Sequence, residues 1–145
     1  MSLNLVTSYL QRELAKQLGI ANRVNFLGWI DIDELKHIYR VCDIFVMPSY
    51  TEGVPRTVLE AMSNGLAVVA TRVGGIPEVV EDNGSGIIVE RRNVDELKNA
   101  LRKLILDRSL RERMAKSGLA RSRLFTVTAE RERLKKAMRR CGLLS

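Results

Sequence analysis

Apolar residues recur along much of the chain at the spacing of amphipathic helices, and short apolar runs separate these segments. Leu5, Leu10, Leu14 and Leu18 predict a helix over residues 5–18 that ends at Gly19. Further helices are predicted over residues 31–41, 56–63 and 93–106, and two more within residues 108–141. Apolar runs at residues 24–29, 44–47, 66–71 and 86–89 predict about four strands.

Strands that alternate with helices predict an α/β fold built on a parallel sheet with flanking helices. With 145 residues, 46% of them hydrophobic, residues 1–145 have the length and composition of one globular domain. Ligands of parallel sheets bind at the carboxyl ends of the strands, in the loops that enter the next helix. The segment after the run 44–47 therefore becomes the first candidate site.

Two predicted helices begin with the spacing of a capping box. Asp31 is followed three residues later by Glu34, and Asn93 by Glu96. Asp31 and Asp33 also form an Asp-x-Asp pattern that is known as a metal motif, but the capping spacing favours an N-cap. No metal site is therefore predicted.

The charge is concentrated at the carboxyl end of the chain. The net charge is +7, and residues 121–145 contain eight basic and two acidic residues. A solvated helix face is the first interpretation of this basic segment, and contact with a membrane surface is the alternative. Phe125 is the single aromatic residue among its arginines, too few to stack successive bases, so nucleic-acid binding is not predicted.

Several protein classes are unsupported by the sequence. There is no apolar run of 18 residues, so no membrane span is predicted, and the opening residues do not resemble a signal peptide. The two cysteines, Cys42 and Cys141, have neither disulfide-framework nor metal-site spacing. These features predict a cytoplasmic protein, with the membrane surface kept open as an alternative location.

The candidate chemistry lies between Pro48 and Glu60, where a predicted strand passes into a helix. Glu52 and Glu60 stand eight residues apart, and Gly53 allows the backbone to approach a ligand closely. The first amide groups of a helix favour an anion, whereas carboxylates accept hydrogen bonds from hydroxyl groups. The segment therefore suggests a ligand that combines sugar hydroxyls with phosphate; a capped helix with two solvated glutamates is the alternative.

The segment 52–60 resembles the Glu-x7-Glu signature of the GT4 family, whose members are retaining glycosyltransferases of the GT-B fold. It reads Glu52-Gly53-Val54-Pro55-Arg56-Thr57-Val58-Leu59-Glu60. The resemblance extends over residues 20–140, through Val-Asn-Phe-Leu-Gly at 24–28, Gly-Gly-Ile-Pro-Glu at 74–78 and Phe-Thr at 125–126. It implies a Rossmann-like sheet that forms part of the C-terminal, donor-binding domain of a GT-B enzyme.

The resemblance also implies residue roles. Glu52 would contact the hydroxyls of the transferred sugar, and Glu60 those of the ribose. The backbone of Gly53, Val54, Pro55 and Arg56 would hold the sugar and the distal phosphate. Because Arg56 lies at the helix start, its side chain is a candidate to replace part of the phosphate-binding cations that the family has elsewhere. Leu27 and Gly28 would flank the base; Trp29 either flanks it too or packs. The donor would be a nucleotide-diphosphate sugar, and neither cofactor nor metal is expected.

The sequence also departs from the family pattern. The acceptor-binding half and the first two strands of the donor-binding half, with their phosphate-binding Arg and Lys, have no counterpart here. We therefore expect the isolated chain to be inactive and to need the missing half or another chain; a homodimer is a further alternative. A non-catalytic nucleotide-binding or docking module of a split enzyme, or a peripheral membrane-binding piece, remains the alternative function.

Overall fold

The structure is a computed structural model, and it describes residues 3–53, 55–141 and 143. The chain divides into two units, Met1–His37 and Ile38–Ser145, and each is described by itself. The seven α-helices of the described residues are α1 Leu3–Gln17, α2 Ile32–Val41, α3 Arg56–Ser63, α4 Ile76–Val79, α5 Val94–Leu106, α6 Arg108–Ser122 and α7 Val127–Arg140. The strands are β1 Ile44–Met47, β2 Ala67–Thr71 and β3 Ile87–Val89.

The three strands form one parallel sheet in the order β1-β2-β3. Ile44 lies opposite Ala67, and Val69 lies opposite Ile87. Because all three strands run in the same direction, their carboxyl ends meet at one edge of the sheet. The loops that follow β1, β2 and β3 therefore converge at that edge, which is where the sequence predicted a site.

The sheet has one strand fewer than the sequence predicted. The segment 24–29 has extended backbone at Val24, but it is not a strand. Gly28 has a φ of 70°, in the left-handed region, which ends an extended run, and the Phe26 carbonyl accepts a hydrogen bond from the Arg12 side chain at 3.1 Å. An extended segment becomes a strand only when its backbone N–H and C=O groups form hydrogen bonds with a neighbouring strand.

The core of the second unit is built around β2, whose five residues are all buried. One cluster joins β2 and β3 to α5 and α6; its buried members are Ala67, Val69, Ile87, Val89, Ala100, Leu104, Leu110 and Met114. Helix α6 also contacts α3, and Met62 on α3 is fully buried. This packing fixes α3 against the sheet and with it the loop that leads into α3.

Strand β1 is less buried than its apolar sequence predicted. All four of its residues are only half-buried, because β1 pairs with β2 on one side and forms the edge of the sheet on the other. The prediction of a parallel strand is confirmed, but the prediction of a buried one is wrong. Edge position lowers burial because one row of backbone groups has no neighbouring strand.

Both predicted N-caps are present. The Asp31 carboxylate accepts from the amides of Asp33 and Glu34, each at 2.9 Å. The Asn93 side chain accepts from the Glu96 amide at 3.1 Å, and the Glu96 carboxylate accepts from the Glu90 amide at 2.7 Å. The second box is therefore only half-formed, because Glu96 reaches the end of the preceding segment instead of the cap residue.

Candidate functional site

The β1–α3 loop, residues 48–55, begins at the carboxyl end of β1 and runs directly into α3. Glu52 is half-buried in this loop, Gly53 is exposed, and Pro55 is buried at the start of the helix. Val54, predicted to hold the sugar and phosphate, lies outside the described residues. The loop therefore brings a carboxylate and an exposed glycine to the edge of the sheet where the strands end.

The start of α3 has no side-chain N-cap and carries an exposed arginine. Pro55 occupies the N-cap position and provides no side-chain hydrogen bond, so the first amides of the helix lack the usual side-chain acceptor. Arg56 is the first helical residue, it is exposed, and within the described part of the chain no carboxylate lies within 4.0 Å of it. Helix amides and a guanidinium at one place favour an anionic group.

Glu60 is the fifth residue of α3, one turn beyond Arg56, and its carboxylate accepts a hydrogen bond from the Tyr39 hydroxyl at 3.4 Å. Tyr39 is only 6% exposed, and its ring contacts Phe45 edge-on with 6.1 Å between the ring centroids. Burial, together with the negative charge of Glu60, raises the pKa of Tyr39 to about 12. Tyr39 thus helps to orient the second glutamate of the signature.

The Tyr39→Phe variant is expected to lose part of the alkaline pH dependence of stability. The folded chain holds Tyr39 neutral up to a pKa of about 12, whereas the unfolded chain releases this proton near 10.0. The contribution of Tyr39 to the free energy of unfolding is therefore complete below pH 10 and declines as the pH rises through 12. Urea unfolding at pH 9–12 measures it.

Tyr50→Phe is the matched control, because the Tyr50 ring is 62% exposed. The expected result is a shallower decline for Tyr39→Phe than for the unmodified chain and for Tyr50→Phe. Identical declines in all three proteins would contradict the Tyr39–Glu60 contact.

A second segment holds the β1–α3 loop from the side of β2. Thr71, the last residue of β2, donates its hydroxyl to the Ser49 carbonyl at 2.6 Å. The Gly75 amide donates to the Gly53 carbonyl at 3.1 Å. Neither Thr71 nor Gly75 was predicted to belong to the site; the Gly-Gly pair shortly after a buried strand is the sequence feature that could have indicated this contact.

Two further arginines lie after β2 and β3, at the same edge. Arg72 is paired with Glu90 at 2.6 Å and lies 3.8 Å from Asp82. The Arg92 guanidinium lies 5.7 Å from the centroid of the Tyr50 ring. Arg72 is therefore committed to carboxylates that precede and follow β3, whereas Arg56 has no carboxylate partner in the described part of the chain and is the better candidate to meet a phosphate.

The first unit contains the predicted base-flanking residues. Leu27 is 52% exposed, and Gly28 has its φ of 70° there. Trp29 is 92% exposed, so the packing interpretation of this residue is wrong within its unit. The role of Leu27 and Gly28 beside a base stays a prediction.

The Asp-x-Asp residues act as a helix start, since Asp31 is occupied as the N-cap of α2. Within the ranges 3–53 and 55–141, together with residue 143, no group of three or more His, Cys, Asp or Glu side chains is arranged to hold a metal ion. Metal independence remains a prediction.

The basic carboxyl-terminal segment is only partly a solvated surface. Arg121 donates to the carbonyls of Val79 and Glu78 at 2.6 and 2.9 Å, and Arg133 donates to the Leu124 carbonyl at 2.5 Å. The rest of α7 is mostly exposed. In the described part of the chain, no helix has both the length and the apolar character needed to cross a membrane.

The sequence and the fold of this chain are similar to those of one known protein family. The sequence profile of the family "Glycosyl transferases group 1" matches residues 8–121. A D-inositol 3-phosphate glycosyltransferase of Corynebacterium jeikeium is 39% identical over 123 residues, which are 85% of this chain and 29% of that protein.

Two solved structures share the fold. The C-terminal domain of the group 1 glycosyltransferase LpcC from Francisella tularensis superposes with a TM-score of 0.77 at 33% identity, covering 83% of this chain and 63% of that domain. HepE from Anabaena, solved in complex with UDP-glucose, superposes with a TM-score of 0.78 at 28% identity, covering 92% of this chain and 36% of that one.

The chain belongs to the glycosyl transferases group 1 family. Its parallel sheet and flanking helices are those of part of the C-terminal domain of a GT-B glycosyltransferase, which confirms the predicted fold class. It spans about 29% of the length of the curated relative described above.

Proposed function

We propose that this chain forms the donor-binding part of a retaining glycosyltransferase, which transfers a sugar from a nucleotide diphosphate to an acceptor. The observation that carries the proposal is the order of three features after the carboxyl end of β1. Glu52 lies in the loop that follows β1, Arg56 begins α3, and Glu60 follows one helical turn later. Family membership and the UDP-glucose complex of HepE support a nucleotide sugar as the ligand.

Each part of the site has a distinct role in this proposal. Glu60, oriented by Tyr39, accepts hydrogen bonds from the ribose hydroxyls. Glu52 accepts from hydroxyls of the transferred sugar and is the residue that contacts the reacting unit. The backbone of residues 53–56 holds the sugar and the distal phosphate.

The departure of the diphosphate is the step in which the α3 start contributes most. When the bond between the sugar and the diphosphate breaks, negative charge grows on the leaving phosphate. The first amides of α3 and the Arg56 guanidinium stabilise that charge without any metal, because they are already oriented before the reaction. The acceptor hydroxyl attacks the anomeric carbon from the face that the diphosphate leaves and gives its proton to the departing diphosphate, so the anomeric configuration is retained.

The division of roles predicts different losses for the two glutamates. Glu60→Ala is expected to raise the dissociation constants of both UDP and UDP-glucose about tenfold or more, because each ligand loses a charge-assisted hydrogen bond. Glu52→Ala is expected to weaken UDP-glucose by a similar factor and to change UDP by less than about twofold, because it removes contacts to the sugar alone. Isothermal titration calorimetry with both ligands measures these ratios.

Glu112→Ala is the control, since this exposed glutamate on α6 pairs with Arg108 within its own helix. It is expected to leave both affinities unchanged. Equal losses for both ligands in both site variants would refute the division of roles, and absence of binding by the unmodified chain would refute the proposed function itself.

The isolated chain is expected to bind the donor weakly and to transfer no sugar. It spans 29% of the length of the inositol phosphate glycosyltransferase, so the acceptor side of the reaction is proposed to come from the N-terminal half of the enzyme or from another chain. Incubation with UDP-glucose and free inositol phosphate, followed by UDP release, is the measurement. Turnover by the 145-residue chain alone would contradict this expectation.

A further inference from the structure

The turn between β2 and α4 lies in direct backbone contact with the loop that carries Glu52. The β2–α4 turn, residues 72–75, contains the adjacent glycines Gly74 and Gly75. A Cβ atom built on Gly74 would lie 1.9 Å from the Glu52 carbonyl oxygen and 2.7 Å from its carbonyl carbon. Real Cβ atoms do not approach other atoms so closely, so any side chain here would have to displace the backbone of Glu52.

Gly75 continues this contact one residue further along the loop. Its amide donates to the Gly53 carbonyl at 3.1 Å, and a Cβ atom at Gly75 would lie 3.0 Å from the same oxygen and 3.3 Å from Pro55 Cδ. The two glycines therefore follow the backbone of Glu52 and Gly53 step by step.

Gly74 also needs its particular backbone conformation. Its φ of 50° lies in the left-handed region, where residues with a side chain are strained. Gly75 has a φ of −80°, which any residue adopts, so its requirement for glycine comes only from the closeness of its neighbours Gly53 and Pro55. Two independent reasons thus keep side chains out of this turn.

The β2 end of the contact is fixed by the core. Thr71 is 5% exposed, lies at the end of the fully buried strand β2, and donates its hydroxyl to Ser49. The loop is therefore held at Ser49 by the last residue of β2 and at Gly53 by the turn that follows β2, on either side of Glu52.

We propose that Gly74 and Gly75 are positioning residues that set the place of Glu52 and thereby the preference of the site for a nucleotide sugar over the bare nucleotide. This inference rests on the proposed function, because it assigns Glu52 to the sugar. The glycines contact the loop backbone and act on the ligand only through Glu52 and Gly53.

The test compares Gly74→Ala and Gly75→Ala with a matched glycine outside the site. Gly65 has a φ of 76°, and nothing lies within 4 Å of a Cβ built there, so Gly65→Ala introduces backbone strain without any collision. Gly75→Ala is the milder site variant, because it adds a contact at 3.0 Å without left-handed strain. Thermal unfolding establishes that each variant is folded before binding is measured.

Calorimetry with UDP and UDP-glucose gives the functional readout. In Gly75→Ala the dissociation constant for UDP-glucose is expected to rise about tenfold, as for the loss of a charge-assisted contact, while that for UDP rises by a clearly smaller factor, because UDP shares only the phosphate contact of the Gly53 backbone. Gly74→Ala is expected to change the ratio of the two dissociation constants, UDP-glucose to UDP, in the same direction and by a larger factor. Gly65→Ala is expected to leave this ratio as it is in the unmodified chain.

Amide hydrogen exchange gives a readout that needs no ligand. Exchange at residues 49–53 and at the Gly75 amide is expected to accelerate in both site variants and to stay unchanged in Gly65→Ala, because only the site variants displace the loop. An unchanged ratio of affinities in Gly75→Ala, with normal binding by the unmodified chain, would overturn this inference alone. No binding of UDP-glucose by the unmodified chain would overturn it together with the proposed function; in that case the exchange result would still show whether the glycines hold the loop.

Discussion

Leu104→Ala is expected to lower the free energy of unfolding by about 2–5 kcal/mol, which is the usual cost of truncating a fully buried leucine. Leu104 on α5 has no exposed surface and lies in the cluster formed by β2, β3, α5 and α6. Truncation would leave a cavity beneath the sheet, because close-packed neighbours relax only partly. Urea unfolding followed by circular dichroism measures the change.

The matched control is Leu106→Ala, two residues later on the same helix, where the side chain is 73% exposed. It makes the same chemical change and is expected to alter the free energy of unfolding by less than about 0.5 kcal/mol. Similar losses at both positions would mean that α5 does not present Leu104 to the core as described.

Arg121→Met is expected to lower the free energy of unfolding by about 1.5–3 kcal/mol, the range for hydrogen bonds that involve a charged group. Its guanidinium donates to the Val79 and Glu78 carbonyls, and Glu81 lies 3.7 Å away. Methionine keeps the length of the apolar stem but leaves the last carbonyls of α4 without their donor.

Arg113→Met on the same helix is the control, because Arg113 is exposed. It also removes one positive charge, so it separates the effect of net charge from the effect of the specific hydrogen bonds. An equal loss in both variants, measured by urea unfolding at two salt concentrations, would contradict a structural role for Arg121.

Local signals in the sequence predicted the helices and their starts well. Asp31 and Asn93 have short polar side chains at the spacing that caps a helix, and both accept the expected amides. Helix α3 begins at Arg56 and ends at Ser63, as predicted. Such features depend on residues three or four positions apart, so they can be predicted from the chain without knowledge of the tertiary fold.

The strands were harder to predict, because an apolar run does not reveal its pairing partner. The segment 24–29 has strand-like residues, yet the Phe26 carbonyl is bonded to the Arg12 side chain and Gly28 turns the backbone. Strand β1 has a fully apolar sequence, yet its edge position leaves it half-buried. In both cases the tertiary arrangement overrides the local preference.

The candidate site could be predicted only where its residues are adjacent in the chain. Glu52, Gly53, Arg56 and Glu60 were predicted from their spacing and from the family signature, and their roles stay predictions. The residues that hold them come from elsewhere: Thr71 is 22 positions from Ser49, and Tyr39 is 21 positions from Glu60. Contacts across such separations are set by sheet order and helix packing, which spacing along the chain does not encode.

Titration of the ¹⁵N-labelled chain with UDP-glucose, followed by two-dimensional NMR, tests most directly whether this chain forms a nucleotide-sugar site. Saturable shifts are expected, centred on the amides of Gly53, Arg56, Glu60 and Gly75, and those of Arg56 and Glu60 are also expected with UDP alone. Shifts confined to another surface, such as the exposed face of α5, or no saturable shifts at all, would contradict the proposal that this segment binds the donor.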